Sequence, residues 1–184
     1  MQSMNIRRLG PNDEIPFREM NVVFARAFGD PATYAGEPPT SAYISNLLSM
    51  EHVIVLVCIQ DNHVIGGLVA YELQKFERQR REIYIYDLAV DEKHRHRGVA
   101  TSLIEQLRRI SRDRGAWVIY VQADYGDDPA VTLYTKMGSR EDVMHFDIRV
   151  ELNAVGDQKH AIRALIRNLP RGFSASEAMA LAVS

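Results

Sequence analysis

The 184 residues carry 22 Lys and Arg against 24 Asp and Glu, a formal net charge of −2. That balance excludes a general nucleic-acid binder, which needs a basic footprint, and the length fits one domain with a sizeable core. The longest apolar run, residues 53–59, is too short for a bilayer, no apolar h-region follows the two arginines of the first ten residues, and the lone Cys58 admits no intrachain disulfide, so a cytoplasmic protein is the expectation.

Residues 5–9 read as a first strand. Pro11-Asn12-Asp13 turns into a helix whose Phe17, Met20, Val23, Phe24 and Ala27 recur at helical spacing. Residues 29–40 hold two Gly, three Pro and two acids and read as a surface loop. Thr40 or Ser41 caps a second helix, with Tyr43, Ile44, Leu47 and Leu48 on its inner face. Residues 53–60 and 64–73 make an antiparallel hairpin about Asp61-Asn62-His63. Gly66-Gly67 in its return strand marks a bulge or a close approach by another group. Cys58, inside an apolar run, reads as a small buried thiol rather than a nucleophile. Residues 74–81, with five charges, read as a solvated loop.

The centre of the chain is residues 83–104. Ile83-Tyr84-Ile85-Tyr86-Asp87-Leu88-Ala89-Val90 is a buried strand by composition. A loop with basic and imidazole side chains follows, then Gly98 and a helix with Leu103, Ile104, Leu107 and Ile110 on one side. Such a helix start is an anion site, because its first N–H groups lack intrahelical partners and the dipole adds positive potential. Gly98, without a Cβ, lets a bulky phosphate approach the backbone. Residues 116–123 form the next strand, parallel to the first because a helix connects them. An acidic turn, residues 124–128, leads into a short helix opened by Asp128-Pro129 and closed at Met137-Gly138. Residues 140–150 read as a last strand. The α/β domain therefore spans residues 1–150. Residues 151–184 are a separate tail, with an amphipathic helix over 157–169, a break at Pro170-Arg171-Gly172, and a weaker helix beyond. The tail packs on the domain, packs on a partner subunit, or stays loose.

Two motifs carry a resemblance. Arg95-His96-Arg97-Gly98-Val99-Ala100 matches an Arg/Gln-x-x-Gly-x-Gly/Ala pyrophosphate loop, and Leu133-Tyr134-Thr135-Lys136-Met137-Gly138 matches a later Leu-Tyr-x-Lys-x-Gly helix. In this order they resemble the GNAT family of acetyl-CoA-dependent N-acetyltransferases. Phe28-Gly29-Asp30, residues 82–90, residues 120–131 and Val143-Met144-His145-Phe146-Asp147-Ile148 resemble, within it, the aminoglycoside 3-N-acetyltransferases of the gentamicin-modifying type. The likeness covers residues 5–149 and leaves out the tail.

The resemblance implies a GNAT fold: a mixed central sheet with a splayed parallel strand pair, flanked by helices. It also implies acetyl transfer from acetyl-CoA, as co-substrate, to the 3-amino group of an aminoglycoside. The amine attacks directly in a ternary complex, the product confers antibiotic resistance, and the enzyme is a homodimer. Arg95, His96, Arg97, Gly98, Val99, Ala100 and Thr101 would seat the pyrophosphate. Leu88, Ala89 and Val90 would bind the pantetheine arm, with the Leu88 N–H polarising the thioester carbonyl.

An alkylamine is largely protonated at pH 7, so a carboxylate must take its proton, directly or through water. Asp87 at the strand mouth is the catalytic candidate. Tyr134 would protonate the leaving thiolate. Read without the resemblance, Asp87 is a strand-end residue and Tyr134 a packing aromatic. Asp127 stands where many relatives have an Asn that bonds pantetheine; it either does the same or faces the substrate. Six acids between 124 and 147, against Lys136 and Arg140, suit a polycationic ligand. Of these Asp124, Asp127 and Asp147 are substrate-binding candidates, with Asp87, Tyr86 and the more distant Asp30. No metal is expected: His94 and His96 lie two apart, and the acidic turn lacks a calcium-loop pattern. Two other readings compete: a GNAT enzyme for a polyamine or protein amine, and a non-catalytic acyl-CoA-binding module whose tail recruits a partner.

Overall fold

The computed structural model describes residues 4–146 and 148. Its strands are β1 (Asn5–Arg8), β2 (Val53–Gln60), β3 (His63–Gln74), β4 (Arg81–Val90) and β5 (Ala116–Val121). Its helices are α1 (Glu14–Ala27), α2 (Pro31–Ala35), α3 (Ser41–Ser49), α4 (Val99–Asp113) and α5 (Asp128–Met137). One sheet runs in sequence order from β1 to β5. Its first three pairings are antiparallel and β4–β5 is parallel, with α4 as the crossover.

β2 explains the core. Val53, Val55 and Val57 meet Phe17, Met20 and Phe24 of α1 and Ile44 and Leu48 of α3. Ile54, Leu56 and Cys58 meet Leu103, Ile104 and Leu107 of α4. A strand covered on both faces reads as an unbroken apolar run. Burial pushes the Cys58 thiol up from its ordinary pKa, which suits a packing role.

Both readings of Gly66-Gly67 hold. Cys58 pairs with Gly66 and Ile59 with Val64, so Ile65 is an extra residue in β3. A Cβ on Gly67 would lie 2.4 Å from Met20 Cγ, so α1 packs almost on the backbone there. At the far end of β3, the buried Glu72 carboxylate meets Arg114 Nη1 at 2.8 Å and Arg81 Nη1 at 3.3 Å, joining β3, β4 and the end of α4.

Three expectations change. Residues 29–40 are not all loop. Asp30 accepts the Thr33 N–H at 3.0 Å, Pro31 opens the helix, and α2 forms, too short to show a period in sequence. Thr40 caps α3 by accepting the Tyr43 N–H at 3.2 Å, but its buried stripe is only Ile44 and Leu48, and Tyr43 is exposed. No strand forms over the described residues of the 140–150 stretch. Arg140 instead bonds Asp142 two residues on, and Val143, Met144 and Phe146 are exposed. The chain divides into a unit Met1–Gly138 and a unit Ser139–Ser184. The expected tail helices and Asp147 fall outside the described residues. Among the described residues no helix is long and apolar enough to cross a membrane.

Candidate active site

One surplus residue in β4 shapes the site. Ala70 pairs with Ile85 and Val69 with Asp87, so Tyr86 has no partner and β4 bulges. Before the bulge Ile83 and Ile85 lie on the α4 side; beyond it Leu88 and Val90 do, while Ala89 lies on the α1 side. Strict alternation would put residues 83, 85, 87 and 89 on one face. The bulge instead brings Asp87 over to the α1 face. There Tyr34 of α2 donates its hydroxyl to both carboxylate oxygens, each at 3.0 Å. Tyr34 is itself held by ring contacts with Phe24 at 5.7 Å and Phe28 at 5.5 Å.

Tyrosines line the same opening. Tyr86 lies edge-on to Tyr71 of β3 and to Tyr84, and Tyr84 stacks on Tyr120 of β5 at 5.0 Å. Tyr84 also donates to Gln122 Oε1 at 3.0 Å, just past the end of β5. The ladder spans three strands, and Tyr86, far from being a buried strand residue, is 62% exposed. Burial, then neighbouring phenols, then the Asp87 charge push Tyr71 and Tyr84 above the ordinary phenol range.

The parallel pair opens at this point. The last β4–β5 pair is Ile85 with Val121, whereas β4 runs on to Val90. The stretch bearing Leu88, Ala89 and Val90 therefore has no strand on its β5 side among the described residues. α5 packs on the α4-side core through Leu133, Tyr134 and Met137. Asp127 caps it by accepting the Ala130 N–H at 3.2 Å, and Arg108 of α4 donates to the Met137 carbonyl at its other end. Tyr134 is partly buried against the α4-side core. Burial foremost, then the charges of Asp127 and Asp87, push its phenol up to about 12. Asp87, Tyr134 and Asp127 thus share one electrostatic neighbourhood.

Past β4 the chain makes a single 3-10 turn, Glu92–His94, pinned by Asp91, which accepts from the Lys93 N–H and pairs with the His94 ring, both at 3.1 Å. His96 and Gly98 then adopt left-handed conformations, φ 60° and 80°. Helical Val99 follows left-handed Gly98, an arrangement in which successive N–H groups converge into an anion-binding nest. The first intrahelical bond, Ser102 N–H to the Gly98 carbonyl, leaves the N–H groups of Val99, Ala100 and Thr101 ahead of it. A Cβ on Gly98 would meet nothing within 4 Å, so the backbone is open to a large anion. Arg97 is exposed, and Arg95 turns back to donate Nε to the Val90 carbonyl at 3.3 Å. These groups fit a pyrophosphate, and the unpaired end of β4 fits an extended amide chain.

The outlying acids are placed differently. Asp30 is the cap of α2. Asp124 is exposed and forms the turn into α5 through its carbonyl, which accepts the Asp127 N–H. Sequence reading missed Tyr34, because its helix is five residues long and its partner lies 53 residues away. The only local signal was Asp30-Pro31 with Thr33, a helix start. Among the described residues no group of three or more His, Cys, Asp and Glu could hold a metal.

Sheet, opening and glycine-led helix together define an acetyltransferase type of α/β domain, and the Acetyltransferase (GNAT) family model matches residues 21–139. The chain belongs to that family. An aminoglycoside acetyltransferase from an uncultured soil metagenomic sample is 47% identical, with a TM-score of 0.80 over 81% of this chain and 99% of that one. A second from such a sample, in complex with sisomicin, is 29% identical, with a TM-score of 0.74 over 80% and 97%. An N-alpha-acetyltransferase of Saccharolobus solfataricus is 27% identical over 92 residues, 46% of this chain and 55% of that protein. N-acetyltransferase 8B of Rattus norvegicus is 28% identical over 83 residues, 45% of this chain and 37% of that protein. The chain thus spans less than two thirds of these curated relatives.

Proposed function

We propose that the protein transfers an acetyl group from acetyl-CoA to the 3-amino group of an aminoglycoside such as gentamicin. The observation that carries this reading is the Asp87 carboxylate, turned by the β4 bulge onto a tyrosine-lined face at the point where the parallel strands part. The 47% likeness to a soil aminoglycoside acetyltransferase supports the substrate class. The loop from Arg95 to Thr101 seats the pyrophosphate, and Leu88, Ala89 and Val90 pair with the pantetheine arm.

Asp87 takes the proton of the attacking amine, directly or through water. The new C–N bond forms as the Leu88 N–H steadies the negative oxygen. The C–S bond then breaks, and Tyr134 gives its proton to the departing sulfur. Tyr86 and Asp124 meet the cationic sugar rings; Asp127, as the α5 cap, supplies field to the same slot, and Asp30 orders the α2 end of it. The acetylated antibiotic has lost a cation, so its grip on ribosomal RNA weakens. The enzyme works as a cytoplasmic homodimer, residues 1–150 forming the catalytic domain and residues 151–184 an appendage to it.

The test is thiol release from acetyl-CoA with gentamicin, a polyamine and a peptide offered in parallel, with the acetylated nitrogen identified by NMR. Release with gentamicin and acetylation at N3 are expected. Release with the peptide alone would move the assignment to a protein amine. Coenzyme binding without release to any amine would leave a non-catalytic acyl-CoA-binding module.

A further inference from the structure

Asp87 does not stand alone at the strand mouth. The Tyr34 hydroxyl oxygen lies 3.0 Å from each of its oxygens, in a contact that joins α2 to β4. The phenol is well anchored. Its ring touches Phe24 and Phe28, and its backbone N–H reaches the Asp30 carbonyl. Pro31 and the Asp30–Thr33 cap fix the start of the helix that carries it.

We propose that Tyr34 is a positioning residue for Asp87: it holds the carboxylate in one rotation and favours its ionised form, so the segment between α1 and α3 sets the orientation of the proton acceptor. The inference rests on Asp87 being that acceptor. A hydrogen bond to the charged form of a carboxyl stabilises that form. Among the described residues, the ionisable groups bearing on Asp87 besides Tyr34 include Tyr71 from β3, Tyr84 from its own strand and Tyr134 from α5; Tyr86 is its chain neighbour. Each is a phenol, and those of Tyr71, Tyr84 and Tyr134 are held protonated well above neutral pH. When Asp87 takes a proton from the amine, one oxygen receives it and the Tyr34 hydroxyl remains on the other.

The test uses the full chain labelled with 13C at aspartate carboxyls, the Asp87 resonance being assigned with Asp87→Asn. Tyr34→Phe keeps the ring between Phe24 and Phe28 and removes only the hydroxyl. The Asp87 titration midpoint is expected to move to higher pH. With gentamicin, kcat is expected to fall about tenfold or more, because a carboxylate free to rotate is no longer held in the geometry for taking the proton, with KM for acetyl-CoA unchanged. In an Asp87→Asn background Tyr34→Phe should have no further effect on kcat. An unmoved midpoint, or an equal loss in both backgrounds, overturns the proposal. Should Tyr34→Phe not fold, the Tyr34 Cζ resonance of 13C-tyrosine-labelled protein must still shift on Asp87→Asn, and a stationary resonance overturns it equally. The midpoint is read without substrate, so its movement upholds the pairing even if gentamicin proves not to be the acceptor.

Discussion

Gly98→Ala separates the role of the α4 start in coenzyme binding from its role in folding. Gly98 has φ 80°, and an added Cβ meets no protein atom within 4 Å. The folding cost is therefore backbone strain alone, about 1–2 kcal/mol for an L-residue held in the left-handed region. For a chain of this size that lowers Tm by about 2–8 °C. Gly115, at the other end of α4, is a matched control: φ is 69° and its Cβ would also meet nothing. Gly115→Ala should lose a similar few degrees.

Acetyl-CoA should tell the two variants apart. If the pyrophosphate rests on the N–H groups beyond Gly98, the new methyl pushes it off. Losing one hydrogen bond to a charged group weakens binding by about ten- to a hundredfold. Calorimetric titration with acetyl-CoA should therefore give that loss for Gly98→Ala and wild-type affinity for Gly115→Ala. Equal affinity in the two variants would refute the placement of the pyrophosphate.

Other outcomes follow from the same geometry. Asp87→Asn should lower kcat about a hundredfold or more, within the range for losing a general base, while acetyl-CoA affinity measured by calorimetry stays at the wild-type value. Tyr134→Phe should lower kcat about tenfold or more by the same reasoning. Because its phenol is pushed up to about 12, the basic limb of the wild-type kcat profile below about pH 11 should not belong to Tyr134. The same shift bears on stability. Below about pH 10 the phenol is protonated in both folded and unfolded chains; between about 10 and 12 only the unfolded chain sheds the proton, so stability falls with rising pH. Tyr134→Phe should show a shallower loss across that window by thermal melting. Glu72→Gln leaves the partly exposed Arg81 and Arg114 facing a neutral amide, and urea unfolding should register a loss of about 1 kcal/mol.

Much of this was legible in the sequence because long elements advertise themselves. The run Val53 to Cys58 showed a strand, and α1 and α4 showed their buried stripes. Arg95 to Ala100 announced a glycine-led helix start, and Gly98 does lead α4 in a left-handed conformation. What escaped was of two kinds. α2 has five residues, fewer than two helical turns, so its apolar periodicity cannot be seen. The Tyr34–Asp87 contact spans 53 residues and leaves no local trace. The aromatic ladder was hidden by composition, because alternating Ile and Tyr in β4 suggested a buried strand although its tyrosines form one wall of an opening. The acids of 124–128 looked like one cluster, yet Asp127 is committed to a helix cap.

The bulge at Tyr86 has a genetic consequence. Asp87 emerges on the α1 face because Tyr86 is surplus to the ladder with β3, whatever side chain it carries. Replacing Tyr86 alters one wall of the slot and leaves the count intact. Deleting it removes the bulge yet leaves Asp87 opposite Val69, because plain alternation from Ile85 then brings the carboxylate out on the α1 face. A deletion elsewhere in β4 shifts a core residue off its face, so a library scoring every deletion along the strand should find its mildest effect on folding at this codon.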